Sequence, residues 1–308
     1  MTRDVERPDW VPGELYPFRS HFLEIDGSNV HYVDEGSGPT LLFVHGNPSW
    51  SFLYRDIIIG LRDSFRCVAV DYPGFGLSTA GSDYGFTAAE HAGAVERLVV
   101  DVDLQDVTLM GQDWGGPIGL TVATRHPDRF RGFILGNTWA WPLNGIFHFE
   151  AFSRMMGNPV AKFWVRNANA FVNLMIPLGT ASRPSGDVMR AYRGPFPDVE
   201  ARTPTWEFAR QLLRSEPFMR RLEEELPKLT HLPALFLWGG QDFALRKRVE
   251  LPRLQRLFPH HETVVLERAR HFFQEDAADD AASAIRDWMG RRGSGAAGSD
   301  RVGSETGA

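Results

Sequence analysis

Cysteine is nearly absent from the 308-residue chain, which has Cys67 alone. That excludes an intramolecular disulfide framework and any multi-cysteine metal site. Cys67 lies in the apolar run FRCVAV and reads as a buried, inert thiol. Tyrosine is also scarce, with 6 residues against 22 Phe and 9 Trp. No uninterrupted apolar run approaches the roughly 18 residues of a membrane-spanning helix. The opening segment, MTRDVERPDW, lacks the apolar core of a signal peptide, so a cytoplasmic location and no membrane partner are expected. Neither sign of charge dominates, 33 Lys+Arg against 39 Asp+Glu for a net −6, so the basic footprint of a nucleic-acid binder is missing.

What is present is a strand–helix alternation. HFLEI and VHYVDEG, joined by Asp26-Gly27-Ser28, predict a hairpin. LLFVHG, CVAVDYPG, VTLMGQD and FRGFILGN follow as apolar strand-like runs, separated by helical patterns such as AAEHAGAVERLVVDV, and ALFLWGG and ETVVLE come late. Strands alternating with helices imply an α/β fold with a mostly parallel sheet covered on both faces. Residues 140–229 differ, being rich in Phe, Met, Arg and Pro and poor in strand-like runs, and are expected to form a helical cap. The expected organisation is therefore core over 1–139, cap over 140–229, core again over 230–290, and a Gly/Ser/Ala-rich disordered tail over 291–308.

Ligands of such sheets bind beyond the carboxyl ends of the strands. The residues there are His45-Gly46-Asn47-Pro48, Asp71, Gln112-Asp113-Trp114, Asn137-Thr138-Trp139, Asp242 and His271. Gly111-Gln112-Asp113-Trp114-Gly115 has the form of a nucleophile elbow with Asp in place of Ser. The pentapeptide alone is equally compatible with Asp as a helix N-cap. The order Asp113, Asp242, His271 then matches nucleophile, acid and base in an α/β-hydrolase triad. The rival position for the acid, after the strand ending Gly136-Asn137-Thr138, offers no carboxylate. Asp71 reads as a loop-bracing residue, and Thr79 in the third position breaks a G-x-G-x-x-G dinucleotide motif.

A carboxylate nucleophile suits attack on a saturated carbon, because the resulting alkyl ester can be opened by water. Asp113 is the expected nucleophile, His271 the base that activates water, and Asp242 the partner that orients His271. The expected oxyanion donors are the backbone N–H groups of Asn47 and Trp114. A halide leaving group needs only N–H donors, and the side chains of Trp114 and Asn47 supply them. An epoxide oxygen needs O–H donors instead. No metal and no cofactor are called for.

HGNPSWSFLYRDII, DYPGFGLS, GQDWGGPIGL, GNTWAWP, LWGGQDFAL and ARHFFQED together resemble a haloalkane dehalogenase over residues 14–290, most closely over 30–142. The resemblance implies an α/β-hydrolase fold with a helical cap inserted before the last strands. It also implies release of alcohol, halide and a proton without a cofactor. The Asp113–His271–Asp242 set with Asn47 and Trp114 is similar to the subfamily with an Asp acid and an Asn–Trp halide pair, which implies low activity and a tendency toward homo-oligomers.

An epoxide hydrolase shares the fold and the D-W-G turn, but that resemblance requires two cap tyrosines and the cap has Tyr192 alone. A fluoroacetate dehalogenase carries Arg where this chain has Trp114. A luciferase or a non-enzymatic receptor on this scaffold are further alternatives; such receptors typically lose a triad member. Phe147, Phe149, Phe152, Met155, Phe163, Trp164, Phe171 and Met175 of the cap, with Trp139 and Trp141, suggest an apolar pocket. Most are expected to be cap core. Trp139, Trp141, Phe147 and Phe152 are the pocket candidates, and the expected partners are a small halogenated substrate, water and halide.

Overall fold

A computed structural model describes residues 7–296. Among them, eight strands form one sheet in the order β1-β2-β4-β3-β5-β6-β7-β8. The strands are β1 His21–Ile25, β2 Ser28–Glu35, β3 Thr40–Val44, β4 Arg66–Val70, β5 Val107–Asp113, β6 Phe130–Thr138, β7 Ala234–Gly239 and β8 His261–Leu266. The β1–β2 hairpin turns through Asp26 and Gly27, both with positive φ (47° and 78°), and the β2–β4 pair is also antiparallel. All later pairs are parallel. The central strands β3 and β7 are buried at every position, which is why they read as continuous apolar runs. Edge strand β8 is half-exposed over most of its length.

The sheet is flanked by α1 Arg55–Leu61, α2 Ala88–Asp101 and α3 Gly115–Arg125 in the first half of the chain. Thr87 and Glu90 close a reciprocal capping box at the start of α2. Between β6 and β7 lie α4 Phe147–Gly157, α5 Pro159–Ala168, α6 Ala170–Leu178, α7 Gly186–Arg193, α8 Thr203–Arg214 and α9 Glu216–Glu225. After β7 come α10 Glu250–Leu257, α11 Phe273–Asp276 and α12 Ala278–Ala296. Helix α12 runs past residue 290, where the core was expected to end; residues 297–308 of the expected tail lie outside the described residues.

The cap has a small core of its own, in which Met156, Val165, Phe171, Trp206 and Ala209 pack together. It is tied to the sheet by polar contacts at its base. The Trp50 indole donates to the Ala191 carbonyl at 3.1 Å. The Tyr192 hydroxyl donates to Glu275 of α11 at 2.5 Å, and Arg55 binds both oxygens of the same carboxylate. Cys67 is free and buried, and burial pushes its thiol up to about 12, so it stays protonated. His260 is exposed, whereas His261 opens β8 half-buried and shares a hydrogen bond with the Phe258 carbonyl. Among the described residues no helix is long and apolar enough to cross a membrane.

Candidate active site

Strand β5 delivers Asp113 into a backbone turn with φ of +52°, and α3 begins two residues later. A side chain at Gly115 could not be accommodated, since a Cβ there would sit 1.8 Å from the Val44 carbonyl oxygen. The left-handed φ of a non-glycine residue is strain of the kind that collects at functional sites. It projects the Asp113 carboxylate away from the sheet end.

The loop after β3 meets that carboxylate. The Asn47 backbone N–H donates to Asp113 Oδ1 at 2.9 Å, and the Trp114 N–H also bonds the carboxylate. The loop is braced by His45, whose Nδ1 bonds the Gly46 carbonyl while its Nε2 accepts from the Tyr72 N–H. Burial holds the His45 ring down at about 4, so it is neutral scaffolding. Asp71 braces the neighbouring turns, accepting from the N–H groups of Ser51 and Leu77 and bonding His31 Nδ1 at 2.7 Å.

The loop after β7 supplies Asp242 and the segment after β8 supplies His271. His271 Nδ1 and Asp242 Oδ2 are 2.8 Å apart, and His271 Nε2 stands 3.7 Å from Asp113 Oδ2. Burial favours the neutral carboxylic acid at Asp242. The His271 bond, the Asn137 amide and the Ala244 N–H outweigh it and hold the carboxyl below its ordinary range. Burial also pulls His271 down, but Asp242 and Asp113 outweigh it and the imidazole is raised. At Asp113 burial wins over His271 and the two N–H donors, and the carboxyl is raised.

Asn137 is placed at a strand end by the sequence, which assigns it no role. It holds the acid in place: its Nδ2 donates to Asp242 Oδ2 at 2.6 Å and its Oδ1 accepts from the Gly239 N–H at 2.7 Å. The signal in the sequence is an Asn at a strand end, a residue that tolerates left-handed backbone, and φ here is 41°. Gln112 is a second such residue. It is fully buried, with its Nε2 at 3.0 Å from His271 Nε2 and 3.2 Å from the His271 carbonyl oxygen.

Above Asp113 lies a cavity of about 300 Å³ lined mainly by apolar groups. The structure brings Asn47, Asp113, Trp114, Trp139, Phe152 and His271 together around it, and adds Phe149, Phe171 and Met175 from the cap. Two pocket candidates lie elsewhere. Trp141 is buried under the Arg253 guanidinium, 4.2 Å from its ring centroid. Phe147 is 84% exposed. On α4 the inward face carries Phe149, Phe152 and Met156 at helical spacing, and Phe147, two residues before Phe149, falls about 200° round the helix from it. Met155, Phe163 and Trp164 are exposed as well. A lining residue the sequence did not single out is His148, half-buried, with a buried Nε2 that has no partner among the described residues.

Trp114 lies flat on Phe208, with ring centroids 5.0 Å apart, and its Nε1–H donates to no group among the described residues. One hydrogen of the Asn47 side-chain amide goes to the Thr205 carbonyl of the cap at 3.0 Å, which leaves the other free. Among the described residues no three His, Cys, Asp or Glu side chains gather as a metal site.

Residues 39–278 match the alpha/beta hydrolase fold family. Haloalkane dehalogenase 2 of Mycobacterium tuberculosis is 46% identical over 284 residues, covering 92% of this chain and 99% of that protein. Cis-3-alkyl-4-alkyloxetan-2-one decarboxylase of Shewanella oneidensis is 32% identical over 285 residues, 89% of each chain. Among solved structures, a loop variant of the haloalkane dehalogenase DbeA from Bradyrhizobium elkanii superposes with a TM-score of 0.82 at 25% identity, covering 91% of this chain and 99% of that one. A carboxylate at the nucleophile elbow and this near end-to-end similarity place the chain in the haloalkane dehalogenase family of α/β-hydrolases.

Proposed function

We propose that the protein hydrolyses the carbon–halogen bond of small haloalkanes through an alkyl ester on Asp113. The observation that carries this reading is a buried carboxylate at the elbow, bonded by two backbone N–H groups and facing His271 at the floor of an apolar cavity. In the first step an Asp113 oxygen forms a bond to carbon as the carbon–halogen bond breaks, and the halide leaves with the electron pair. The Trp114 indole N–H and the free Asn47 amide hydrogen receive it. In the second step water gives a proton to His271 Nε2 and its oxygen attacks the ester carbonyl. The Asn47 and Trp114 backbone N–H groups stabilise the oxyanion, and Asp242 stabilises the imidazolium. Collapse regenerates Asp113 and releases the alcohol, and the proton then leaves His271.

None of the described residues lining the cavity carries a hydroxyl that could protonate an epoxide oxygen. Tyr192 is fully buried and its hydroxyl is committed to Glu275, outside the cavity. The test offers the purified protein 1-bromobutane, 1,2-dibromoethane, styrene oxide and a cis-3,4-dialkyl oxetan-2-one, the last because of the decarboxylase relative. Bromide and alcohol in equal amounts are expected. Diol formation or lactone consumption without bromide release overturns the reading. Self-association is the second part of the proposal, supported by the exposed apolar side chains Val160, Phe163, Trp164 and Leu174 on α5 and α6. Light scattering after size exclusion is expected to show a multimer that Trp164→Glu weakens, and a monomer at all concentrations contradicts it.

A further inference from the structure

Three groups face the ring of His271, two from the end of β5 and one from the loop after β7. Asp242 reaches Nδ1 from the loop after β7, Asp113 stands 3.7 Å from Nε2 at the end of β5, and Gln112, one residue earlier, reaches Nε2 at 3.0 Å. Glu250 of α10 is coupled electrostatically to Asp242, and the cap contributes His148 to the same cavity. The identity of the contacting Gln112 atom follows from chemistry. It also lies 3.2 Å from the His271 carbonyl oxygen, which can only accept, so it is the NH₂ group. The tautomer follows in the same way. Asp242 is ionised and accepts from Nδ1–H, so in the neutral ring Nε2 carries the lone pair. The Gln112 amide therefore donates into the lone pair that must take the proton from water.

We propose that Gln112 is a positioning residue for the base, holding His271 in its neutral, Nδ1–H form and opposing the imidazolium that the two carboxylates favour. Once Nε2 is protonated, an N–H faces an N–H and the contact turns repulsive. Turning the amide over does not fully relieve it, since Oε1 would then confront the His271 carbonyl. Oε1 is buried without a partner among the described residues, so nothing else holds the amide in the observed orientation. The device counters a specific hazard of this site. A histidine between two carboxylates is drawn toward the charged form, and a charged ring cannot accept a proton from water.

This inference rests on the two-step dehalogenation above, and its test separates the two. In Gln112→Met, a near-isosteric apolar replacement, the acid limb of ester hydrolysis is expected to move to higher pH by about one unit, a roughly tenfold loss of free base on that limb. Gln112→Glu, which accepts from the imidazolium, is expected to move it further. The titration of His271, followed by ¹⁵N NMR of histidine-labelled protein, should shift in the same order and needs no turnover. Absence of bromide release from the wild-type enzyme would sink dehalogenation while the NMR titration still decides the role of Gln112. An unmoved His271 titration in both variants overturns the inference and leaves Gln112 as packing for the His271 backbone.

Discussion

The sheet ends and the cap face one cavity with different chemistry. The sheet side presents Asp113 and His271, backed by buried Asp242 and Asn137, each at the end of a strand or in the loop or segment that follows one, and each held by hydrogen bonds to its neighbours. The cap side presents Phe149, Phe152, Phe171 and Met175, whose contacts are apolar and adaptable. The difference teaches a division of labour. In the proposed reaction, bond-making geometry is set by strands that cannot move independently of the sheet, and the shape of the substrate space by a smaller helical layer with its own core. Asn47 joins the two, because its backbone holds Asp113 while its side chain binds the Thr205 carbonyl of α8.

Substitutions on the two sides should therefore separate. The largest effect is expected from Asp113→Ala, which removes the atom that bonds to carbon; bromide release should fall to the uncatalysed level, and residual turnover would place the nucleophile elsewhere. Asp242→Asn is expected next, with ester hydrolysis slowed on the order of 10⁴-fold by analogy with serine triads. Stopped-flow and quench kinetics should find bromide release far less affected than hydrolysis. Glu275→Ala tests the seam between the regions. It leaves the buried Arg55 guanidinium with half-exposed Asp56 as its remaining carboxylate and frees the Tyr192 hydroxyl, for an expected loss of about 3 kcal/mol in denaturant unfolding. Phe152→Ala, on the cap wall, should change KM across a chain-length series several-fold more than it changes the hydrolysis rate. Phe147→Ser, on the outer face of the same helix, should alter stability by less than about 0.5 kcal/mol.

The pH dependence also follows from the sheet side. His271 must be neutral to take a proton from water, and its folded value is raised, so hydrolysis should fade as the pH drops through a point above the ordinary histidine value of 6.5. Bromide release depends instead on ionised Asp113; burial raises its carboxyl as well, but protonated His271 beside it favours the carboxylate, so release should persist to lower pH. An accumulating ester on the acid side is the expected signature, read by intact mass across a pH series.

The same division explains what the sequence could convey. Central strands buried on both faces leave continuous apolar runs, and the turn after β5 leaves glycines on both sides of Asp113, so the sheet and that turn are legible in one dimension. Asn137 and Gln112 act through partners about 100 to 160 residues away, and the β5–β6–β7–β8 pairing brings those partners together. In the cap, an aromatic side chain looks the same whether its helix turns it inward or outward. Phe152 and Phe147 are five residues apart on α4, yet one lines the cavity and the other faces solvent. Trp141 is buried as an apolar residue should be, but under Arg253 rather than against the cavity.

The central claim is that a carboxylate at the elbow becomes covalently alkylated. His271→Phe removes the base while leaving Asp113 and its N–H donors in place. After exposure to 1-bromobutane, intact-mass and peptide analysis of this variant should find one butyl group per chain, on the peptide containing Asp113. An unmodified protein after stoichiometric bromide release, or a butyl group on any other residue, would contradict the account.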